Sequence, residues 1–264
     1  MGMISIGDAE LNVDVTGEGD PLLMVSGLGG RAAFWSHQVS AFSEHFQVIT
    51  HDHRGTGAST KSNIKYSVAQ MSEDVIRLLD ALSIPTVTVL GHSTGGAIAQ
   101  FLALKHTERV NRIVLSASWP GPSPYFQELF RLRLRILQDS GPDAYLIDGI
   151  MRAYPSQILS EKPEILSGSR EERLATFPGI KIESSRINAV LSHDLRSQIS
   201  SISLPTLVIG AADDQITPKS FFDELADEIV GAEKVIFPFG GHFLPQVKPR
   251  EYNQALFNFL NVAG

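Results

Sequence analysis

The segment from Ala81 to Leu104 contains no Asp, Glu, Lys or Arg. An uncharged stretch of that length belongs either in the hydrocarbon of a membrane or in a protein position where both faces of an element are covered. Pro85, Gly91, His92, Gly95, Gly96 and several Ser and Thr interrupt it, which is wrong for a spanning helix. Thr86-Val87-Thr88-Val89-Leu90 is β-branched and apolar, whereas Gly95 to Lys105 has helical character. The segment therefore reads as a buried strand turning sharply into a buried helix. The turn itself, Gly91-His92-Ser93-Thr94-Gly95, fits Gly-x-Ser-x-Gly. A serine there occupies a strained backbone position, and side chains at the two glycines would collide with neighbouring main chain. Such a turn lifts the Ser93 hydroxyl clear of the sheet and aims the Thr94 amide, at a helix N-terminus, where negative charge would develop.

Strand-like runs alternate with helical patterns on both sides of this turn, the mark of a mostly parallel sheet flanked by helices. Ile4 to Val15 reads as an N-terminal hairpin, followed by strands at Leu22–Val25 and Phe46–Thr50. Met71, Val75, Leu78, Leu79 and Leu82 recur at helical spacing behind Ser67, a suitable N-cap. A strand at Arg112–Ser116 ends the first run of alternation. From Trp119 to Ser200 no strand pattern appears; helix-like stretches run from Phe126 to Leu137 and from Glu171 to Leu191. This segment has 10 Lys+Arg against 10 Asp+Glu, so the formal charge of −7 resides in the remainder. We read residues 119–200 as a helical insertion and residues 1–118 and 201–264 as the α/β core. The alternation resumes with strands at Thr206–Gly210 and Lys234–Phe237, and helices near Ser220–Ile229 and Arg250–Leu260.

The chain has no cysteine, which removes disulfides, thiolate metal sites and a Cys nucleophile. A serine is a poor nucleophile at neutral pH, so the motif predicts a histidine base and an acid to orient it. Asp213 and Asp214 stand just past a strand end, and His242 follows the last strand in a glycine-flanked loop. Ser26-Gly27-Leu28-Gly29-Gly30, after the first core strand, can turn amides inward; Leu28 is the first choice for a second oxyanion donor and Gly29 the next. No metal-ligand cluster stands out, and no cofactor is implied. Net negative charge without a long basic run argues against nucleic acid and anionic membranes. With no basic n-region or apolar leader before Asp8 and Glu10, the expectation is a cytoplasmic protein acting on a small molecule, with a homodimer left open.

Together these residues resemble the α/β-hydrolase superfamily over the whole chain. The matching elements are Ser26–Gly30, Asp52-His53-Arg54-Gly55-Thr56-Gly57-Ala58-Ser59, Gly91–Gly96, Asp214-Gln215-Ile216-Thr217-Pro218 and Gly241-His242. Their order implies an α/β-hydrolase fold with an inserted helical cap and a triad of Ser93, Asp214 and His242. The acid four residues before the proline is Asp214, which leaves Asp213 as a solvated or capping carboxylate. Leu28 and Thr94 form the implied oxyanion hole, Arg54 is structural, and Ser93 sets the chain apart from dehalogenases and epoxide hydrolases, which place Asp there. Most relatives have His where this chain has Ser26. Within the superfamily the chain is most similar to aminoacrylate hydrolases and 3-oxoadipate enol-lactonases, through Tyr154-Pro155, Phe177-Pro178-Gly179 and Arg186-Ile187-Asn188-Ala189. That likeness implies a small carboxylate-bearing substrate, with Arg186 as the first candidate clamp, Arg131, Arg133 and Arg135 behind it, and Gly29 and Trp119 as further substrate contacts. The implied activity is hydrolysis of an ester, lactone or C–N bond. Alternatives are C–C bond hydrolysis or a carboxylesterase on the same triad, and a non-catalytic ligand receptor.

Overall fold

The computed structural model describes residues 2–168 and 170–262. The chain opens with the antiparallel pair β1 (Gly2–Ser5) and β2 (Glu10–Thr16), followed by β3 (Asp20–Val25), α1 (Ser36–Phe42), β4 (Phe46–His51) and α2 (Val68–Ala81). Next come β5 (Val87–His92), α3 (Thr94–Lys105) and β6 (Val110–Ser116). Among the described residues there follow α4 (Pro124–Ala153), α5 (Ser156–Glu161), α6 (Glu164–Gly168), α7 (Arg170–Ala175) and α8 (Ile180–Ser192). The chain then returns through β7 (Thr206–Ala211), α9 (Lys219–Glu228), β8 (Glu233–Phe237), α10 (Leu244–Val247) and α11 (Pro249–Leu260).

The eight strands form one sheet in the order β1-β2-β4-β3-β5-β6-β7-β8. Only β1–β2 and β2–β4 are antiparallel; every other pairing is parallel. The central strands read as continuous apolar runs because both faces are covered. Leu23, Val25, Val89, Ile113, Leu115 and Val208 join one core with α2, α3 and α9, while Leu22, Met24, Leu90, Val114, Leu207 and Ile209 join another with α1 and α11. The uncharged segment resolves accordingly: β5 lies between β3 and β6, and Ala97, Ile98, Ala99, Gln100, Leu102 and Ala103 of α3 are all buried. Among the described residues no helix is long and apolar enough to cross a membrane.

Ser67 caps α2, its hydroxyl accepting from the Gln70 amide at 3.0 Å. The Arg54 guanidinium is buried and forks onto the Asp74 carboxylate (2.9 and 2.7 Å) and onto Asp8 (3.1 and 2.7 Å). Burial opposes its charge, yet the hydrogen bonds and charges of Asp74 and Asp8 hold its pKa above the ordinary arginine value, and the same contact lowers that of Asp8.

The insertion differs in detail from the sequence expectation. The first helical stretch continues to Ala153, with a kink at Gly141 (φ 84°) followed by Pro142. The second is split at Pro178-Gly179, where Gly179 (φ 92°) precedes α8. Proline lacks the amide that a helix interior needs, and a positive φ suits glycine. Helix α1 had no clear sequence signature: it is seven residues long and buries only Gln38 and Phe42.

Candidate active site

The first functional element is the turn between β5 and α3. Ser93 has φ 53° and ψ −116°, a conformation that costs a non-glycine residue free energy. Surrounding contacts hold it there: the Ser93 amide donates to Ser116 O at 2.8 Å, and the Ser118 hydroxyl donates to Ser93 O at 3.1 Å. A Cβ on Gly91 would meet the Gly95 carbonyl, and one on Gly95 would meet the Val25 carbonyl. The spacing of the motif is thus a steric requirement of this crossing. Thr94 begins α3, and its amide makes no hydrogen bond among the described residues.

Loops after β7 and β8 bring Asp214 and His242 together. The Nδ1–H of His242 donates to Asp214 Oδ2 at 2.8 Å. Asp214 Oδ1 accepts from the amides of Ile216 (2.7 Å) and Thr217 (2.9 Å), and Oδ2 accepts from the Thr217 hydroxyl at 2.7 Å. These bonds fix the carboxylate and, through it, the tautomer of the ring. The His242 Nε2 takes no hydrogen bond among the described residues, which leaves that nitrogen to face a reacting group. Asp213 is half-buried rather than solvated, and its Oδ1 accepts from the Gly240 and Gly241 amides at 3.0 and 2.8 Å. It tethers the loop that carries His242, a role that adjacency in sequence does not reveal.

Ser93 and His242 line a single cavity of about 320 Å³, together with Leu28 and Gly29. The turn bearing those two is closed by a Gly30 amide to Gly27 O bond of 2.9 Å. It is fastened to the Asp52–Ser59 loop by the His53 amide and the Thr56 hydroxyl, which donate to Gly30 O at 2.7 and 2.8 Å. The amides of Leu28 and Gly29 make no hydrogen bond among the described residues. Ser26 is buried, and its hydroxyl takes no hydrogen-bond partner among the described residues.

Two expected substrate contacts lie elsewhere. Arg186 is fully buried and is not part of the cavity wall; its guanidinium donates to the backbone carbonyls of Leu28 and Arg54, both at 2.8 Å. Trp119 is also outside the wall, packed on Phe126 (ring centroids 4.8 Å apart) and on His193. Of the insertion arginines considered for a clamp, the cavity admits Arg133, whereas Arg131 pairs with Glu128 on the surface.

Arg133 is 8% exposed, with its guanidinium carbon 4.7 Å from the Tyr145 ring centroid and 5.7 Å from that of Phe130. Its Nε lies 3.4 Å from Asp148, and no hydrogen bond to it forms among the described residues. The Tyr145 hydroxyl donates to Glu183 at 2.6 Å; burial first, then the Glu183 charge, raises its pKa well above the ordinary value. Phe34 and His92 complete the inner wall, stacked with centroids 4.6 Å apart, and the His92 ring lies 4.9 Å from that of His242. Burial, and secondarily the neighbouring His242, keep the His92 pKa well below the histidine norm, so it remains neutral.

A serine on a strand-to-helix crossing, a hydrogen-bonded His–Asp pair in later loops, and a mostly parallel sheet that presents both define a hydrolase of the α/β type. The chain belongs to the alpha/beta hydrolase fold family, whose model matches residues 20–249. It is similar to a Caulobacter vibrioides (strain NA1000 / CB15N) protein named as the carbamate hydrolase RutD, 34% identical over 243 residues that cover 92% of this chain and 90% of that one. Among solved structures it resembles a hydrolase from Pseudomonas aeruginosa PA01 (29% identity, TM-score 0.90, covering 99% and 98% of the two chains). It also resembles the enol-lactonase of Burkholderia xenovorans LB400 (27% identity, TM-score 0.90, covering 98% and 100%).

Proposed function

We propose that this protein is a serine hydrolase that cleaves an ester, lactone or C–N acyl bond in a small, carboxylate-bearing substrate. The observation that carries this reading is the His242–Asp214 hydrogen bond opening onto the cavity that also holds Ser93 in its strained turn. In the proposed reaction the Ser93 Oγ attacks the carbonyl carbon and its proton passes to His242 Nε2. Asp214 stabilises the resulting imidazolium. The amides of Leu28 and Thr94 hold the tetrahedral oxyanion until His242 protonates the leaving group. His242 then takes a proton from water, which attacks the acyl-enzyme carbonyl, and gives that proton to Ser93 Oγ as the acyl–oxygen bond breaks and the acid is released. Helices α4 to α8 serve as the cap over this site. A fluorophosphonate is expected to label the purified protein once per chain, with the adduct mapping to the peptide that contains Ser93. Labelling at another serine would overturn the assignment.

The carboxylate preference rests on Arg133, a buried guanidinium in the cavity wall without a hydrogen-bond partner among the described residues. The names of the relatives, carbamate hydrolase and enol-lactonase, fit cleavage of a C–N or lactone bond in a cavity of about 320 Å³. Arg133→Met is expected to raise KM for mono-p-nitrophenyl succinate by roughly 10- to 100-fold with little change in kcat, as for loss of a charge-assisted hydrogen bond. Turnover of p-nitrophenyl acetate should barely change. Equal losses on the two esters would show that Arg133 supports the cap and does not bind substrate.

A further inference from the structure

The turn at residues 27–30 has its middle peptide between Leu28 and Gly29, and such a peptide can flip by rotation about ψ of the first residue and φ of the second. Nothing in the turn itself opposes this. Gly29 is exposed, a Cβ there would touch nothing within 4 Å, and glycine accepts either sign of φ. The bond that resists a flip comes from outside the turn, where Arg186 Nη2 of α8 donates to Leu28 O at 2.8 Å. Its other terminal nitrogen donates to Arg54 O at 2.8 Å, so one guanidinium joins two core loops to the insertion. Burying this charge is costly, and the Glu183 carboxylate lies 3.8 Å from Nε, too far for a hydrogen bond.

In a trans peptide the carbonyl and amide point to opposite sides. Drawing Leu28 O toward Arg186, which is outside the cavity wall, sends the Gly29 amide the other way, while Leu28 and Gly29 themselves line the cavity. A flipped peptide would instead turn a carbonyl oxygen toward the place where the oxyanion forms, and two like partial charges would repel. We propose that Arg186 is a positioning residue that locks the Leu28–Gly29 peptide, so that the Gly29 amide points toward the reacting carbonyl as a further donor beside the amides of Leu28 and Thr94. This inference rests on the serine-hydrolase reading above.

The test uses purified full-length Arg186→Met and Arg186→Lys, each with and without Gly29→Ala. In the present structure φ of Gly29 is not positive, so alanine fits it; the flipped turn needs a positive φ there, which alanine disfavours. Arg186→Met is expected to lower kcat by about 10- to 100-fold with KM within about twofold, since a transition-state donor is lost. The inhibition constant of phenylboronic acid, a tetrahedral mimic, should rise by the same factor. Adding Gly29→Ala to Arg186→Lys should recover several-fold of the lost kcat, which a merely structural role would not allow. A rise in KM alone would make Arg186 a substrate contact and overturn the proposal. A lowered Tm with unchanged kcat and boronate affinity would equally overturn it. If Arg186→Met does not fold, the lysine variant and its Gly29→Ala double decide. Ser93→Ala, run alongside, separates the two readings: retained turnover in it overturns both, whereas a dead Ser93→Ala with fully active Arg186 variants overturns only this one.

Discussion

Ser93→Ala is expected to lower kcat toward p-nitrophenyl esters by about 10⁴- to 10⁶-fold while leaving the fold intact. The alanine keeps the Cβ, so the crossing of β5 and α3 is undisturbed; what disappears is the one atom able to form the acyl bond. His242→Ala should cost a similar factor, because the hydroxyl is not nucleophilic at neutral pH without a base. The double variant should be scarcely slower than either single one, since the two act as a unit. Residual rate above the uncatalysed reaction would come from the unpartnered amides of Leu28 and Thr94 and from binding in the cavity. Steady-state turnover, with circular dichroism to verify folding, checks the prediction. A folded Ser93→Ala protein within tenfold of wild type would end the serine mechanism for this chain.

The largest expected loss of stability follows from Arg54→Met, at about 3–5 kcal/mol. The guanidinium is buried against Asp74, whose side chain is only 7% exposed, and its removal strands that carboxylate in a low-dielectric setting. Asp8 makes the same kind of contact from the other side but is 64% exposed, so water screens it. Asp8→Asn should therefore cost less than about 1 kcal/mol. Urea unfolding midpoints at neutral pH measure both. If the two substitutions cost the same, burial of Asp74 is not what gives this contact its weight. Arg54 also lends its backbone carbonyl to Arg186, so Arg54→Met tests side-chain pairing alone.

Much of the fold was legible because its determinants are local. Covered strands must be apolar on both faces, so the uncharged run at Ala81–Leu104 marked the centre of the sheet. Gly91 and Gly95 were readable for the same reason: a Cβ at either meets backbone only a few residues away or on the adjoining strand. The Pro178-Gly179 break in the second insertion helix was present in the sequence but outweighed by helical character on either side. For Asp213 the sequence left solvated and capping roles open, because the partners of its carboxylate, the Gly240 and Gly241 amides, lie 27 and 28 residues away.

The arginines of the insertion mark where sequence reasoning stopped. Arg133 and Arg186 carry the same group at helical positions in the same segment, and the family resemblance favoured Arg186. The fold turns Arg186 toward carbonyls 158 and 132 residues earlier in the chain, and leaves Arg133 over Tyr145 at the cavity. Sequence by itself determined the sheet, the strand-to-helix crossing with its serine, and the order in which acid and histidine follow, because steric exclusion and burial pattern act over short range. Which guanidinium lines the cavity and which meets the backbone was decided only by tertiary packing. A long, flexible cation takes its partner from whatever unpaired oxygen the folded chain brings within reach.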